Sequence, residues 1–132
     1  MTLTRDDFAG WLERYIAAWR SGEADEIGDL FSEDVTYSQT GGQTVIVGRE
    51  AVVEDWLEAA YEPDLSWEAA YEPLAIEDRT YVGVGSTRYV REDGVREDFS
   101  NIFVCRFDDA GQCCEFSEWW MRAPGPVARL ED

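Results

Sequence analysis

The sequence predicts an α+β domain in which N-terminal helices pack over the concave face of a curved antiparallel sheet. Three observations predict it. The first twenty residues carry apolar side chains at helical spacing. From residue 65 onward the chain changes to long alternating stretches separated by short polar turns. At 132 residues with 45% apolar content, it is one domain (1–132), with enough apolar mass for a proper core.

Thr4 is placed as an N-cap with Asp7 three residues on, and Asp6 and Asp7 suit the positive end of a helix dipole. Phe8, Trp11, Leu12, Tyr15, Ile16 and Trp19 then form one apolar stripe, which Ser21-Gly22 ends. A short second helix is expected over 24–31, around Ile27, Leu30 and Phe31. Strands follow over 35–39 and 44–47, joined by Thr40-Gly41-Gly42. A third helix is expected from Arg49 to about Tyr61, with Val53, Trp56, Leu57 and Ala60 inward and Pro63 as its stop. Four strands are expected over 67–76, 81–91, 95–107 and 112–121, and an extended tail over 123–132. Glu-Ala-Ala-Tyr-Glu-Pro occurs at both 58–63 and 68–73, with the first copy assigned to a helix end and the second to a strand.

The last two strands hold the most information about function. Pairing Phe107 with Gln112 across Asp108-Asp109-Ala110-Gly111 sets Phe103 opposite Phe116, Asn101 opposite Glu118 and Phe99 opposite Trp120. One sheet face then becomes an aromatic wall with one carboxylate and one amide, the lining of a small-molecule pocket.

Composition excludes more than it assigns. The formal net charge of −18 repels phosphate backbones and anionic lipid, so no nucleic-acid partner and no membrane role is expected. No apolar run approaches the roughly 20 residues of a membrane helix, and the first residues lack a secretion signal's order. A cytoplasmic protein is the expectation. Histidine is absent and all eleven cations are arginine, which removes imidazole bases, histidine-ligated zinc and Schiff-base lysines. Acid–base chemistry is left to Asp, Glu, Tyr, Cys or water. Cys105, Cys113 and Cys114 are too few for a zinc site. The predicted register sets Cys105 across from Cys114, so a disulfide is conceivable, with reduced core thiols favoured by the expected reducing compartment.

Four stretches occur in order: Glu13-Arg-Tyr-Ile-Ala-Ala-Trp-Arg-Ser-Gly-Glu23, Leu30-Phe-Ser-Glu-Asp-Val-Thr-Tyr37, Val47-Gly-Arg-Glu-Ala-Val52 and Arg106-Phe-Asp-Asp-Ala-Gly111. They resemble the landmarks of the nuclear transport factor 2-like superfamily. Asn101 and Glu118-Trp119-Trp120 most resemble its SnoaL-like branch. The likeness runs from Phe8 to Met121 and implies a cone-shaped sheet. It also implies that Phe103 faces the cavity, and by alternation Phe99, Asn101, Cys105, Phe116, Glu118 and Trp120 with it. The opposite face, with Ile102, Val104 and Trp119, is apolar enough to imply a homodimer. Aligned with the ketosteroid isomerase branch, Tyr15 matches the oxyanion-holding tyrosine. The base position falls on Gln39 and the protonated-aspartate position on Phe103, so that chemistry is not expected.

Glu118 is therefore the principal catalytic candidate, with Tyr15 and Asn101 as hydrogen-bond donors. Trp19, Tyr37, Trp56, Phe99, Phe103, Phe116 and Trp120 are the candidate substrate walls, and Tyr71 and Tyr89 could join them. A carboxylate among such rings is poorly solvated and titrates upward. The competing structural reading pairs Glu118 with Arg88, Arg91 or Asn101. Three functions stay open. One is an isomerase, cyclase or hydrolase that uses no cofactor or metal and acts on a small apolar or aromatic molecule of polyketide, terpenoid or steroid type. The others are a non-catalytic ligand binder and a structural dimer with a filled cavity.

Overall fold

The computed structural model describes residues 3–39, 43–59 and 65–122. Helix α1 (Arg5–Ser21) starts where the sequence predicts, since the Thr4 side chain accepts from the Asp7 amide and the Asp7 carboxylate accepts from the Thr4 amide. It ends on Gly22, whose φ of 67° is the left-handed turn that a glycine adopts without a Cβ clash. Helix α2 (Ala24–Gly28) is shorter than predicted. Leu30 and Phe31 leave the helical path because the Leu30 carbonyl accepts the Cys113 amide and Phe31 pairs with Cys113. Strand β1 (Phe31–Gln39) therefore begins four residues before the predicted start at 35. Strand β2 (Thr44–Val47) matches the expectation, and helix α3 (Arg49–Ala59) follows. The inward side of α3 is Val52 and Trp56, with Val53 partly buried, whereas Leu57 is exposed. The expected roles of Ala60, Tyr61 and Pro63, the turn at 40–42 and the tail at 123–132 lie outside the described residues.

Strands β3 (Leu65–Glu77), β4 (Thr80–Arg91), β5 (Arg96–Phe107) and β6 (Cys113–Arg122) complete a six-stranded curved sheet in the order β2-β1-β6-β5-β4-β3. Neighbours are antiparallel except β1 and β6, which run parallel and make the sheet mixed. The second Glu-Ala-Ala-Tyr-Glu-Pro copy lies in β3, as expected.

The β5–β6 register differs from the predicted one by two residues. Asp108 donates its amide to the Gln112 carbonyl and closes a loop of 109–111 with Gly111 at φ 81°. Asp108 Oδ1 accepts the Ala110 and Gln112 amides, each at 2.9 Å, and holds that turn. This tightens the hairpin by one residue. Cys114 then bulges out between the pairs Phe107↔Cys113 and Arg106↔Glu115, a second single-residue slip. Phe103 consequently faces Glu118, Asn101 faces Trp120, and Cys105 faces Phe116. The slip is even, so the side chains of 99–106 and 115–120 keep their predicted sides of the sheet, whereas Cys113 takes the buried place expected for Cys114. The Cys105–Cys114 pairing is not formed, and all three thiols are free.

The α1 stripe packs on the concave face. Phe8, Trp11 and Tyr81 surround Phe107, and Tyr15 meets Phe103 and Phe116. Gly83 permits this approach: a Cβ there would stand 3.3 Å from Leu12 and 3.4 Å from Phe8. Gly85 is more constrained, because a Cβ would fall on the Ala70 carbonyl oxygen and against the Tyr71 ring. Its bare backbone lets Tyr71 fold over the sheet and meet Phe103 at 4.7 Å. Among the described residues, no helix is long and apolar enough to cross a membrane.

Candidate functional site

At the wide end of the concave face the core opens into a cavity of about 280 Å³. Its lining is Tyr15, Trp19, Tyr37, Gln39, Asp55, Trp56, Ala59, Tyr71, Thr87, Tyr89, Phe99, Asn101, Glu118 and Trp120. Eight of the ten predicted site residues are brought together here. Phe103 and Phe116 are the exceptions. They are fully buried and form the floor, with Phe116 stacked on Tyr37 at 4.7 Å and on Tyr15 at 5.7 Å. Rings so thoroughly covered by other rings have no face left for a ligand. Trp120, 44% exposed, stands at the mouth.

Glu118 is 8% exposed, and its neighbours define its chemistry. Asn101 Nδ2 donates to Oε2 at 3.0 Å, a diagonal contact across the β5–β6 ladder. Gln39 Nε2 makes a longer contact to Oε1 at 3.5 Å, from the position paired with Glu118 in the parallel ladder. The arginines proposed as its partners are engaged elsewhere: Arg88 bonds Asp98 and Arg91 bonds Glu97, both at 3.2 Å. Burial pushes the Glu118 carboxyl from 4.5 up to about 7, and the Asn101 and Gln39 hydrogen bonds only partly oppose it. The group exchanges its proton near neutrality, and among the described residues no cation lines the cavity beside it.

A polarised hydrogen-bond chain stands behind this carboxylate. Thr87 Oγ1 donates to Asn101 Oδ1 at 2.9 Å. Since a threonine hydroxyl has one hydrogen, the 2.6 Å contact between Tyr71 and Thr87 must be donated by Tyr71. Asn101 thus has its carbonyl held by Thr87 and its amide turned to Glu118, so it orients the carboxylate. Across the cavity the Tyr37 hydroxyl accepts from Trp56 Nε1 at 3.1 Å and from Gln39 Nε2 at 3.3 Å. It also shares a hydrogen bond with Tyr15. Burial, followed by the Glu118 charge, drives the Tyr15 and Tyr37 phenols well above their usual range. Both stay neutral and act only as hydrogen-bonding hydroxyls.

Gln39, Asp55, Ala59 and Thr87 were not among the predicted site residues. Thr87 was findable, because in a strand it shares the inward phase of Tyr89. Asp55 carries no comparable signal, since it sits one residue before Trp56 and outside the inward set read for that helix. It is a second carboxyl at the cavity, raised first by partial burial and then by the charge of Glu58.

The SnoaL-like domain family model matches residues 12–116. A comparison with curated proteins found no match. Among solved structures, an epoxide hydrolase of the LEH-like type from M. tuberculosis is similar, with a TM-score of 0.69, 13% identity, and coverage of 89% of this chain and 84% of the other. A ketosteroid isomerase-like protein from Kribbella flavida DSM 17836 is similar at TM-score 0.69 and 19% identity, covering 96% and 87%. The epoxide hydrolase/cyclase-like enzyme SalBIII, which acts in pyran ring formation in salinomycin, is similar at TM-score 0.66 and 17% identity, covering 85% and 88%. At these identities the likeness is one of fold.

Proposed function

We propose, from the premise that this chain belongs to the SnoaL-like domain family, that it is a cofactor-free enzyme in which Glu118 moves a proton on a small, largely apolar or aromatic substrate. The observation that carries this reading is a single well-buried carboxyl, oriented by Asn101 and titrating near 7, on the wall of an aromatic cavity. A general acid or base works best when its pKa lies near the operating pH, and Glu118 meets that condition through burial. Tyr15 supplies a neutral hydroxyl at the opposite wall, suited to a developing negative charge on oxygen. The fold neighbours whose names report isomerase, epoxide hydrolase and cyclase activities support the general class of acid–base reaction.

The test is turnover of a fixed panel containing styrene oxide, a terpene epoxide and a β,γ-unsaturated steroid ketone. Wild type and Glu118→Gln are compared by product chromatography. Conversion of at least one compound by wild type, reduced about 10²-fold or more in the variant, supports the reading. Equal conversion by both proteins, or conversion of none while the compounds bind unchanged, overturns it. The second of those outcomes favours a non-catalytic binder. That reading draws its support from a network in which the buried polar side chains already satisfy one another.

A further inference from the structure

The charges of the cavity do not balance, and the imbalance specifies what a ligand must bring. Several of the nitrogen and hydroxyl donors on its wall are used internally. Asn101 gives its amide to Glu118, Thr87 its hydrogen to Asn101, Tyr71 its hydrogen to Thr87, and Trp56 its indole N–H to Tyr37. Gln39 is turned toward Tyr37 and Glu118. What the lining holds in the way of charge is acid alone: the Glu118 and Asp55 carboxyls, with neutral phenols and indoles around them. The described lining holds two acids and no arginine, and the sequence has no lysine or histidine to add.

The rest of the wall is aromatic, and its rings meet in corners. Trp120 stands at 83° to Phe99, Phe99 at 84° to Tyr89, and Tyr15 at 78° to Trp56. Rings set at right angles offer a compact cation several negative π surfaces at once. An anionic ligand would meet two acids and no cation in the described lining, and a neutral hydrocarbon would leave the charge of both carboxyls uncompensated.

We infer that the cavity is built for an organic cation, a protonated or quaternary amine on an aromatic or aliphatic body, whose charged head sits among the rings against Glu118 and Asp55. The inference rests on the reading of this cavity as the substrate site and names its substrate class, but it makes no use of catalysis. A cation beside Glu118 also stabilises its ionised form, so the bound protein would hold this group ready as a base.

The experiment is calorimetric titration of the full chain at pH 7 and 0.15 M NaCl with three probes of matched shape: 2-phenylethylammonium, 2-phenylethanol and phenylacetate. The expected order is ammonium at least tenfold tighter than the alcohol, with phenylacetate weakest. Binding the ammonium should release about half a proton, seen as a dependence of the heat on buffer, because Glu118 is about half protonated at pH 7 when free. The preference should fall below threefold in Glu118→Gln and weaken in Asp55→Asn. Glu115→Gln, which removes an exposed charge on the other face of the sheet, should leave it intact. Raising the salt to 0.5 M should also leave it, because charges paired in a buried site are poorly screened while general attraction to an acidic protein is not. Equal binding of ammonium and alcohol, no binding of any probe, a preference lost equally in Glu115→Gln, or one abolished by salt would each overturn the inference. These results are separable from the turnover test, since a neutral substrate converted through Glu118 would refute the cation and preserve the acid–base role.

Discussion

Replacing Glu118 with glutamine should make the protein more stable at alkaline pH and change little at acid pH. The amide keeps the shape of the carboxyl and removes its charge. In the folded chain the carboxyl titrates at about 7 because burial disfavours the anion, against an ordinary value of 4.5. Between those two values the folded protein holds a proton that the unfolded chain has released, so stability falls as pH rises through the interval and levels off above it. The span corresponds to about 3 kcal/mol, of which about 2.5 kcal/mol lies between pH 5 and pH 8.5. Urea unfolding followed by tryptophan fluorescence at pH 5, 6, 7, 8 and 8.5 measures it for both proteins. The many surface acids shift both curves alike, so the difference between them isolates position 118. That difference should move by about 2.5 kcal/mol in favour of the glutamine variant across the range. Parallel curves, with a constant offset at every pH, would refute the claim that this carboxyl is held neutral by burial.

Three further outcomes follow from the same geometry. Thr87→Val removes the hydrogen donated to Asn101 Oδ1 and strands a buried carbonyl, which should cost about 1–3 kcal/mol; with Asn101 free to turn from Glu118, the midpoint of the curve described above should move higher than in wild type. Gly85→Ala places a methyl group on the Ala70 carbonyl and the Tyr71 ring, so it should destabilise by several kcal/mol and loosen Tyr71, read as a lower urea midpoint and altered near-ultraviolet circular dichroism. Thiol labelling of the native protein should modify Cys114 first, with Cys105 and Cys113 reacting only on unfolding; peptide mass mapping checks it, and labelling of Cys113 ahead of Cys114 would contradict the bulge in the β5–β6 register.

The alternation of β5 and β6 could be read from the sequence, but their pairing could not. Period two fixes which side a residue takes, and burying Phe103, Cys105 and Phe116 on one side leaves no alternative. Register depends on local turn chemistry. Here Asp108 caps a three-residue loop, and Cys114 is ejected just beyond it. Each slip alone would have turned Glu118 outward. Together they restore phase, and the predicted face survived an incorrect pairing. The parallel β1–β6 ladder was hidden for a different reason. It joins strands far apart in sequence, and no hairpin turn announces it. The early start of β1 is its local consequence, with Leu30 and Phe31 drawn from a helical pattern into the sheet.

The site shows the same division between what a strand pattern records and what only the assembled fold provides. Glu118, Asn101, Phe99 and Trp120 were legible because they share one face of one hairpin. Tyr15, Trp19 and Trp56 were legible because helix stripes that face a core also face any cavity opening from it. Gln39 is reached through the parallel ladder, and Asp55 borders a stripe instead of lying on it. The acidic character of the cavity was therefore underestimated from sequence, where one carboxylate was visible. With two acids and no arginine in the described lining, the wall asks its ligand for positive charge. A purely apolar guest would have to leave the Glu118 proton in place, and a cationic one would displace it, so proton release on binding tells the two apart.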